Sequence, residues 1–159
     1  MNKMHVLSVL VANQAGVLSR IAGLFSRRMY NIESLSVGVT ENPAISRMTI
    51  VTCTDDDTLK QIMNQVSKLV DVINIEILNR DTAVLREHVL VKVNAADTAG
   101  VMQICNVFRA NIVDITTEII ITELTGAPNK ISAFISLMEQ FAVIELVRTG
   151  LTGLVRGEM

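Results

Sequence analysis

One pattern of residues occurs twice in this chain. Residues 5–21, "HVLSVLVANQAGVLSRI", are echoed by residues 88–104, "HVLVKVNAADTAGVMQI", and both contain an Ala-Gly-Val step followed by Leu or Met. At the offset of the two histidines, Phe25 matches Phe108, and Asn31-Ile32 matches Asp114-Ile115. Later, "VDVINIEIL" at 70–78 resembles "FAVIELVRT" at 141–149. A repeat of this length predicts a duplicated domain. The alternative is a single larger sheet formed by both halves.

The first copy predicts an alternation of strands and helices. Strands are expected at 5–12, 32–40, 46–54 and 72–78, where β-branched residues dominate or apolar residues alternate. Apolar residues at helical spacing follow Gly16, and a second helix follows the acidic run 55–57, which suits a helix N-terminus. The order βαββαβ is ferredoxin-like. In the shorter second copy we expect a hairpin of 111–116 with 119–124.

The fold class is therefore α+β, with two ferredoxin-like βαββαβ units in tandem. We expect domains at 1–79 and 80–159, joined through 79–85. Some strands, such as 89–91 and 119–121, are aliphatic on both faces. We expect a second copy of the chain to cover such a sheet, giving a homodimer.

Composition excludes several kinds of partner. The net charge is -2, aromatic residues make up 3%, and there is no Trp. These values argue against nucleic acid binding. The apolar run 6–12 is too short to cross a membrane. Cys53 and Cys105 lack metal or redox spacing, so buried thiols in a reducing cytoplasm are expected.

No set of catalytic residues is apparent. The two histidines, His5 and His88, stand at equivalent strand starts, where packing is the simplest role. The acidic run 55–57 is more simply a helix start than a Mg²⁺ site. We therefore expect no catalytic residues, no metal site and no cofactor in this chain.

The loop 13–16 is the remaining candidate site. Free backbone N–H groups at a helix N-terminus attract anions, and this loop contains no Lys or Arg. With apolar Val17, Leu18 and Ile32 nearby, a carboxylate with a small aliphatic tail fits better than a polyphosphate. The alternative is that Asn13 only caps the helix or shapes the turn, while Gly16 supplies an unusual backbone angle.

The motifs "NxxGVLSRIxGLFxRRxYNIESLxV" and "ISRMTIVT" resemble the N-terminal ACT domain of the small regulatory subunit of acetohydroxyacid synthase (acetolactate synthase). The resemblance continues through "QIMNQVSKLVDVI", "LVKV", "FRANIVDIT" and "TGLTGLVRGE". It implies an ACT domain followed by an ACT-like domain in a protein that is not an enzyme. Such a subunit activates a catalytic subunit carrying thiamine diphosphate, Mg²⁺ and FAD. It also confers feedback inhibition by a branched-chain amino acid, commonly valine, in the synthesis of those amino acids.

The resemblance also implies where an effector binds. Family members dimerise through their ACT domains, and the effector lies at that interface. Loop N–H groups and the Asn13 amide would hold the carboxylate, and Asn31 with nearby carbonyls would hold the ammonium. The implied effector-binding residues are Asn13, Gln14, Ala15, Gly16, Val17 and Leu18 of one chain with Asn31 and Ile32 of the other. In the second copy, Asp97 would repel a carboxylate, so we expect no site there.

The sequence departs from the family at Met29, where a Gly is usual. Gly after a helix takes the left-handed C-cap conformation, so Met29 is either strained or extends the helix. Ala110 looks like a similar loss in the second copy. Two other functions remain open: a stand-alone ACT-type sensor with a different partner, and a small enzyme on a ferredoxin-like fold.

Overall fold

The computed structural model describes residues 1–157. In these residues each repeat forms one β-sheet and two α-helices. The first repeat forms a four-stranded sheet in the order β2-β3-β1-β4, with every neighbouring pair antiparallel. Its elements are β1 (Lys3–Ala12), α1 (Val17–Arg27), β2 (Ser34–Val39), β3 (Ile45–Thr54), α2 (Asp56–Ser67) and β4 (Val72–Ile77). The predicted βαββαβ order is confirmed.

Alternate residues of β1 build the first core. Leu7, Val9 and Val11 are buried, and Ile21 and Phe25 of α1 belong to the same cluster. The period of two along the strand and the helical period along α1 direct these side chains to a shared interior. The core is therefore the layer between the sheet and its helices.

The second repeat follows the same plan with a five-stranded sheet. Its elements are β5 (Ala83–Asn94), α3 (Thr98–Phe108), β6 (Asn111–Ile115), β7 (Ile119–Gly126), α4 (Pro128–Met138), β8 (Val143–Arg148) and β9 (Thr152–Val155). The main order is β6-β7-β5-β8, and β9 also pairs with β5. The tight hairpin of β6 with β7 is confirmed. The alternative of one larger sheet is wrong, because the strands form two sheets.

The two compact units differ from the expected domains 1–79 and 80–159. One unit comprises Met1–Val84 together with the chain from Leu151 onward, and the other comprises Leu85–Gly150. Two hydrogen bonds show why the C-terminal segment belongs to the first unit. Ser36 Oγ donates to Leu151 O at 2.9 Å, and the Arg156 N–H donates to Thr82 O at 2.8 Å.

The ends of α1 and α3 correct the alignment of the two copies. Met29 is left-handed, with φ 59°, and the Tyr30 N–H donates to Phe25 O. In the second copy the left-handed residue is Arg109, with φ 57°, and the Ala110 N–H donates to Cys105 O.

Two sequence-based expectations change with this alignment. Cys105, not Phe108, is the counterpart of Phe25, and "NI" at 111–112, not "DI" at 114–115, is the counterpart of Asn31-Ile32. Met29 takes the strained option, whereas Ala110 was the wrong counterpart.

Two charged side chains support the elements around them. Asp55 caps α2, accepting the N–H groups of Asp57 and Thr58 at 3.0 and 2.8 Å. These hydrogen bonds, led by that of Thr58, hold the pKa of the Asp55 carboxyl below its ordinary value. In the second unit, Glu87 on β5 is only 4% exposed. Arg148 on β8 donates to both of its carboxylate oxygens at 2.8 Å, which raises the pKa of Arg148.

Candidate functional site

The loop 13–16 connects β1 to α1, and its last residue shapes the start of the helix. Gly16 is the N-cap of α1, with φ 86°. This left-handed angle favours glycine, as the turn interpretation predicted. Gly16 has no side chain with which to cap the helix, so the first turn lacks a side-chain acceptor. The N-terminus of α1 is consequently left open.

Four backbone N–H groups are available at this helix start. Within residues 1–157 they have no hydrogen-bond acceptor, and they belong to Ala15, Gly16, Leu18 and Ser19. The neighbouring N–H groups of Asn13 and Gln14 are used, donating to Ala44 O and Ala12 O at 2.8 and 2.9 Å. That of Val17 lies at a long 3.5 Å from Gln14 O. Free N–H groups combined with the positive end of the helix dipole can bind a carboxylate.

The Asn13 side chain connects the loop to another turn. Its Nδ2 donates to Pro43 O at 2.9 Å, tying the loop to the turn between β2 and β3. An amide NH2 has two N–H donors, so this hydrogen bond leaves one N–H of Asn13 and its Oδ1 for other partners. One of the two amide N–H groups is thus occupied, and the Asn13 side chain helps to position the loop.

Arg20, which the sequence analysis missed, brings a positive charge to the loop. A Cβ built on Gly16 would lie 3.0 Å from Arg20 Nη1. Arg20 Nε donates to the Asp71 carboxylate at 2.5 Å, and Asp71 O accepts the Ala12 N–H at 2.9 Å. One signal was present in the sequence, since Arg20 follows Gly16 by one helical turn. The loop itself contains no Lys or Arg, but Arg20 of α1 places a cation next to it.

Asn31 presents an acceptor oxygen beside the carboxylate of Glu33. Its Nδ2 donates to Glu33 Oε1 at 2.5 Å, and its backbone O accepts the Thr52 hydroxyl at 2.7 Å. The Asn31 Oδ1 and the Glu33 carboxylate suit an ammonium group, and Glu33 is a second residue that the sequence analysis missed. Ile32 is half-buried and packs against the first core.

The structure does not bring the two halves of the predicted site together within one chain. Residues 13–16 precede α1, and residues 31–32 follow its end. A helix of 11 residues is roughly 16 Å long, which exceeds the reach of one small amino acid. One ligand can contact both segments only if they come from different chains.

The apolar wall is smaller than the sequence indicated. Val17 is buried in the first core, so its side chain is not available to a ligand. Leu18, in contrast, is 48% exposed next to the open N–H groups. Leu18 and the half-buried Ile32 are therefore the predicted apolar residues that a ligand could reach.

The corresponding helix start of the second repeat has an acidic cap. Asp97 is the N-cap of α3, and its Oδ1 accepts the Gly100 N–H at 2.9 Å. It also borders a cavity of about 280 Å³, lined by Asn94, Ala96, Asp97, Gln140, Phe141 and Ala142. A carboxylate at this helix start would be repelled by the charge of Asp97.

The two histidines and Cys105 lie in surroundings that suit a structural role. His5 Nε2 lies 3.2 Å from Thr54 O, and His88 Nδ1 lies 2.9 Å from Thr125 Oγ1, so both rings contact a neighbouring strand. No group of three His, Cys, Asp or Glu residues within 1–157 is arranged to hold a metal ion. Cys105 is buried, and burial raises the pKa of its thiol.

Cys53 is exposed, so the expectation of two buried thiols is wrong for this residue. It lies opposite Met4 in the β1–β3 pair. Its neighbours on β3, Thr52 and Thr54, are buried and point to the other face of the sheet.

In the part of the chain that the structure describes, no helix is long and apolar enough to traverse a lipid bilayer.

Comparisons with known proteins cover both repeats. Residues 7–74 match the family model described as the AHAS small subunit-like ACT domain, and residues 86–157 match the one described as the small subunit of acetolactate synthase. A probable acetolactate synthase small subunit of Archaeoglobus fulgidus is 45% identical over 155 residues, covering 96% of this chain and 97% of that protein. The acetolactate synthase small subunit of Mycolicibacterium smegmatis is 44% identical, covering 96% and 91%.

A solved structure agrees with these relatives. The crystal structure of the acetolactate synthase small subunit from Thermotoga maritima superimposes with a TM-score of 0.91 at 39% identity. It covers 99% of both chains. The likeness therefore extends over both βαββαβ units and the strand that follows them.

Proposed function

The chain belongs to the family of acetolactate synthase small subunits, and we propose that it confers feedback inhibition by valine on the catalytic subunit. As a small subunit it is regulatory, and catalysis belongs to the separate large subunit. The proposal includes activation of that subunit, a homodimer formed through the ACT domains, and a cytoplasmic location. Thiamine diphosphate, Mg²⁺ and FAD would belong to the catalytic subunit.

The open N-terminus of α1 is the observation that carries the proposal. Four N–H groups that have no acceptor within residues 1–157 lie at the start of α1, together with exposed Leu18, and the guanidinium of Arg20 lies close to Gly16. A carboxylate can accept these N–H groups while an aliphatic side chain covers Leu18. A branched-chain amino acid has both a carboxylate and an aliphatic side chain. The phosphates of a nucleotide would bring more negative charge than the positive charge of this site can balance.

The ammonium would be held by the partner chain. The Asn31 Oδ1 and the Glu33 carboxylate are acceptors, and they lie beyond the far end of α1 from the loop. In a symmetric dimer each loop would face the Asn31 segment of the other chain, giving two equivalent sites. This arrangement joins the two halves that a single chain keeps roughly 16 Å apart.

The edge of the first sheet supports such a dimer. β2 is the outer strand, and its Val37 and Val39 are about half exposed. An unpaired edge strand with exposed valines is a surface that a second strand can cover. Pairing β2 with β2 of another copy would extend the sheet and bury these valines.

Binding is tested by calorimetry and thermal unfolding of the full-length chain with millimolar valine, leucine or isoleucine. We expect valine to raise the melting temperature, because a ligand that binds only the folded state stabilises it. Asn31→Ala should weaken this shift, because it removes an ammonium acceptor. Asn64→Ala, an exposed change on α2, is the control and should leave the shift unchanged. No heat and no stabilisation with any of the three amino acids would contradict the effector proposal.

Regulation is tested by mixing the chain with its cognate catalytic subunit. The chain alone should form no acetolactate, and its addition should raise the rate of the catalytic subunit. Valine should then lower the rate of the mixture more than that of the catalytic subunit alone. An unchanged rate after mixing would contradict the regulatory role and favour an ACT-type sensor with another partner.

A further inference from the structure

We propose that Arg20 supplies the positive charge that binds the carboxylate of the amino-acid effector. This inference rests on the proposed function and names the charged residue of the same site. None of the effector-binding residues expected from the sequence carries a positive charge, and one of the two amide N–H groups of Asn13 is already donated to Pro43 O. Without Arg20, a carboxylate at this loop would meet only neutral N–H donors.

The position of Arg20 brings its guanidinium to the open N–H groups. The Arg20 N–H donates to Gly16 O at 3.0 Å, forming the first backbone hydrogen bond of the helix. Its side chain returns towards the N-terminus, so that Nη1 lies 3.0 Å from a Cβ built on Gly16. Gly16 therefore serves two purposes, since it adopts φ 86° and leaves room for the guanidinium.

Asp71 holds the guanidinium in place while leaving part of it available. Arg20 Nε donates to Asp71 Oδ2 at 2.5 Å, and the Asp71 side chain is only 10% exposed. Within residues 1–157, Nη1 and Nη2 of Arg20 have no hydrogen-bond partner, and the side chain is 48% exposed. A guanidinium has five N–H donors, and a carboxylate can accept two of them at once.

The same helix contains a matched control. Arg27 follows Gly23 with the same spacing, and its Nη1 lies 3.2 Å from a Cβ built on Gly23. The structure gives Arg27 no ion pair within residues 1–157, and Gly23 lies inside α1 rather than at its open end. Arg27 thus reproduces the local geometry of Arg20 without the N–H groups and without an acidic support.

The experiment measures the affinity of the full-length chain for valine and for valinamide, which lacks the negative carboxylate. The variants are Arg20→Gln, Arg20→Lys and the control Arg27→Gln. We expect Arg20→Gln to weaken valine binding roughly ten- to a hundredfold, the range for a lost hydrogen bond to a charged group. Arg20→Lys should retain more affinity than Arg20→Gln, Arg27→Gln should bind as the unchanged chain does, and valinamide should bind Arg20→Gln and the unchanged chain alike.

Several results would overturn the inference. Equal valine affinity of Arg20→Gln and the unchanged chain would show that Arg20 does not bind the effector. An equal loss for valine and valinamide, accompanied by a lowered melting temperature, would show that Arg20 only holds the loop. If the unchanged chain binds no branched-chain amino acid, the proposed function itself fails, so the two failures are distinguishable.

Discussion

Replacing Met29 by Gly should stabilise the protein. Met29 follows α1 with φ 59°, a conformation that costs a residue with a Cβ about 1–2 kcal/mol. The Met29 side chain is 90% exposed, so removing it forfeits almost no buried surface. Glycine makes the unfolded chain more flexible, which opposes folding by about 0.4–1 kcal/mol. The midpoints of the two ranges differ by about 0.8 kcal/mol, which is the net stabilisation expected.

Urea unfolding of Met29→Gly and Met29→Ala measures this difference. Alanine removes the long side chain and keeps the Cβ, so Met29→Ala should stay within about 0.5 kcal/mol of the unchanged chain. Met29→Gly should raise the midpoint without changing the slope of the free energy against urea. Arg109→Gly should do the same in the second unit, since Arg109 has φ 57°. Equal stability of Met29→Gly and Met29→Ala would refute the claim that the left-handed backbone is strained.

Three further substitutions probe stability elsewhere. Arg148→Met leaves the buried Glu87 carboxylate without its partner and should cost about 2–4 kcal/mol in urea unfolding. Phe134→Ala removes a fully buried ring from the second core and should cost about 3–5 kcal/mol in the same assay. The Asp55 carboxyl has a lowered pKa in the folded state, so its stabilisation is present above its ordinary pKa of 3.8 and is lost as pH falls through the lower folded value. Asp55→Asn, which keeps the cap but does not titrate, should lessen the loss of stability in acid, as followed by thermal unfolding.

Matched controls exist for each of these changes. Arg86→Met alters an exposed arginine of β5, and Leu137→Ala alters a partly exposed residue of α4. Asp57→Asn changes an exposed carboxylate that is not the α2 cap. Each control should have a smaller effect than its partner, and an equal effect would contradict the assigned role.

The general fold was predictable because its signals are local. Alternation along β1 and β3, helical spacing after Gly16, and the acidic start of α2 all appear within short segments. The strand β9 was not predicted, because a four-residue strand, Thr152–Val155, has too few residues to show a periodicity. The end of α1 also misled the alignment, since the match by offset ignored the different lengths of the two loops.

The candidate site was predictable only in part, because its charges depend on distant residues. The free N–H groups follow from a glycine before a helix, and the sequence located them. The ion pair of Arg20 with Asp71 joins residues 51 positions apart, and the hydrogen bond of Asn13 to Pro43 joins residues 30 apart. No local sequence pattern shows that Asn13 donates to Pro43 O or that the Arg20 guanidinium lies close to Gly16. The sequence therefore located the loop but not the Arg20 guanidinium beside Gly16.

The first helix of each repeat has a different N-cap, which is acidic at α3 and a glycine at α1. At α3 the N-cap Asp97 accepts the Gly100 N–H, which satisfies a donor of the first turn and places a negative charge at the helix start. At α1 the N-cap is Gly16, which satisfies none and leaves the helix dipole without a counter-charge from the cap. A Gly N-cap lowers stability by roughly a few tenths of a kcal/mol relative to an Asp cap. A bound carboxylate would supply the acceptor that Gly16 lacks at the start of α1. The less stable helix start is therefore the one at which a ligand can stabilise the folded state.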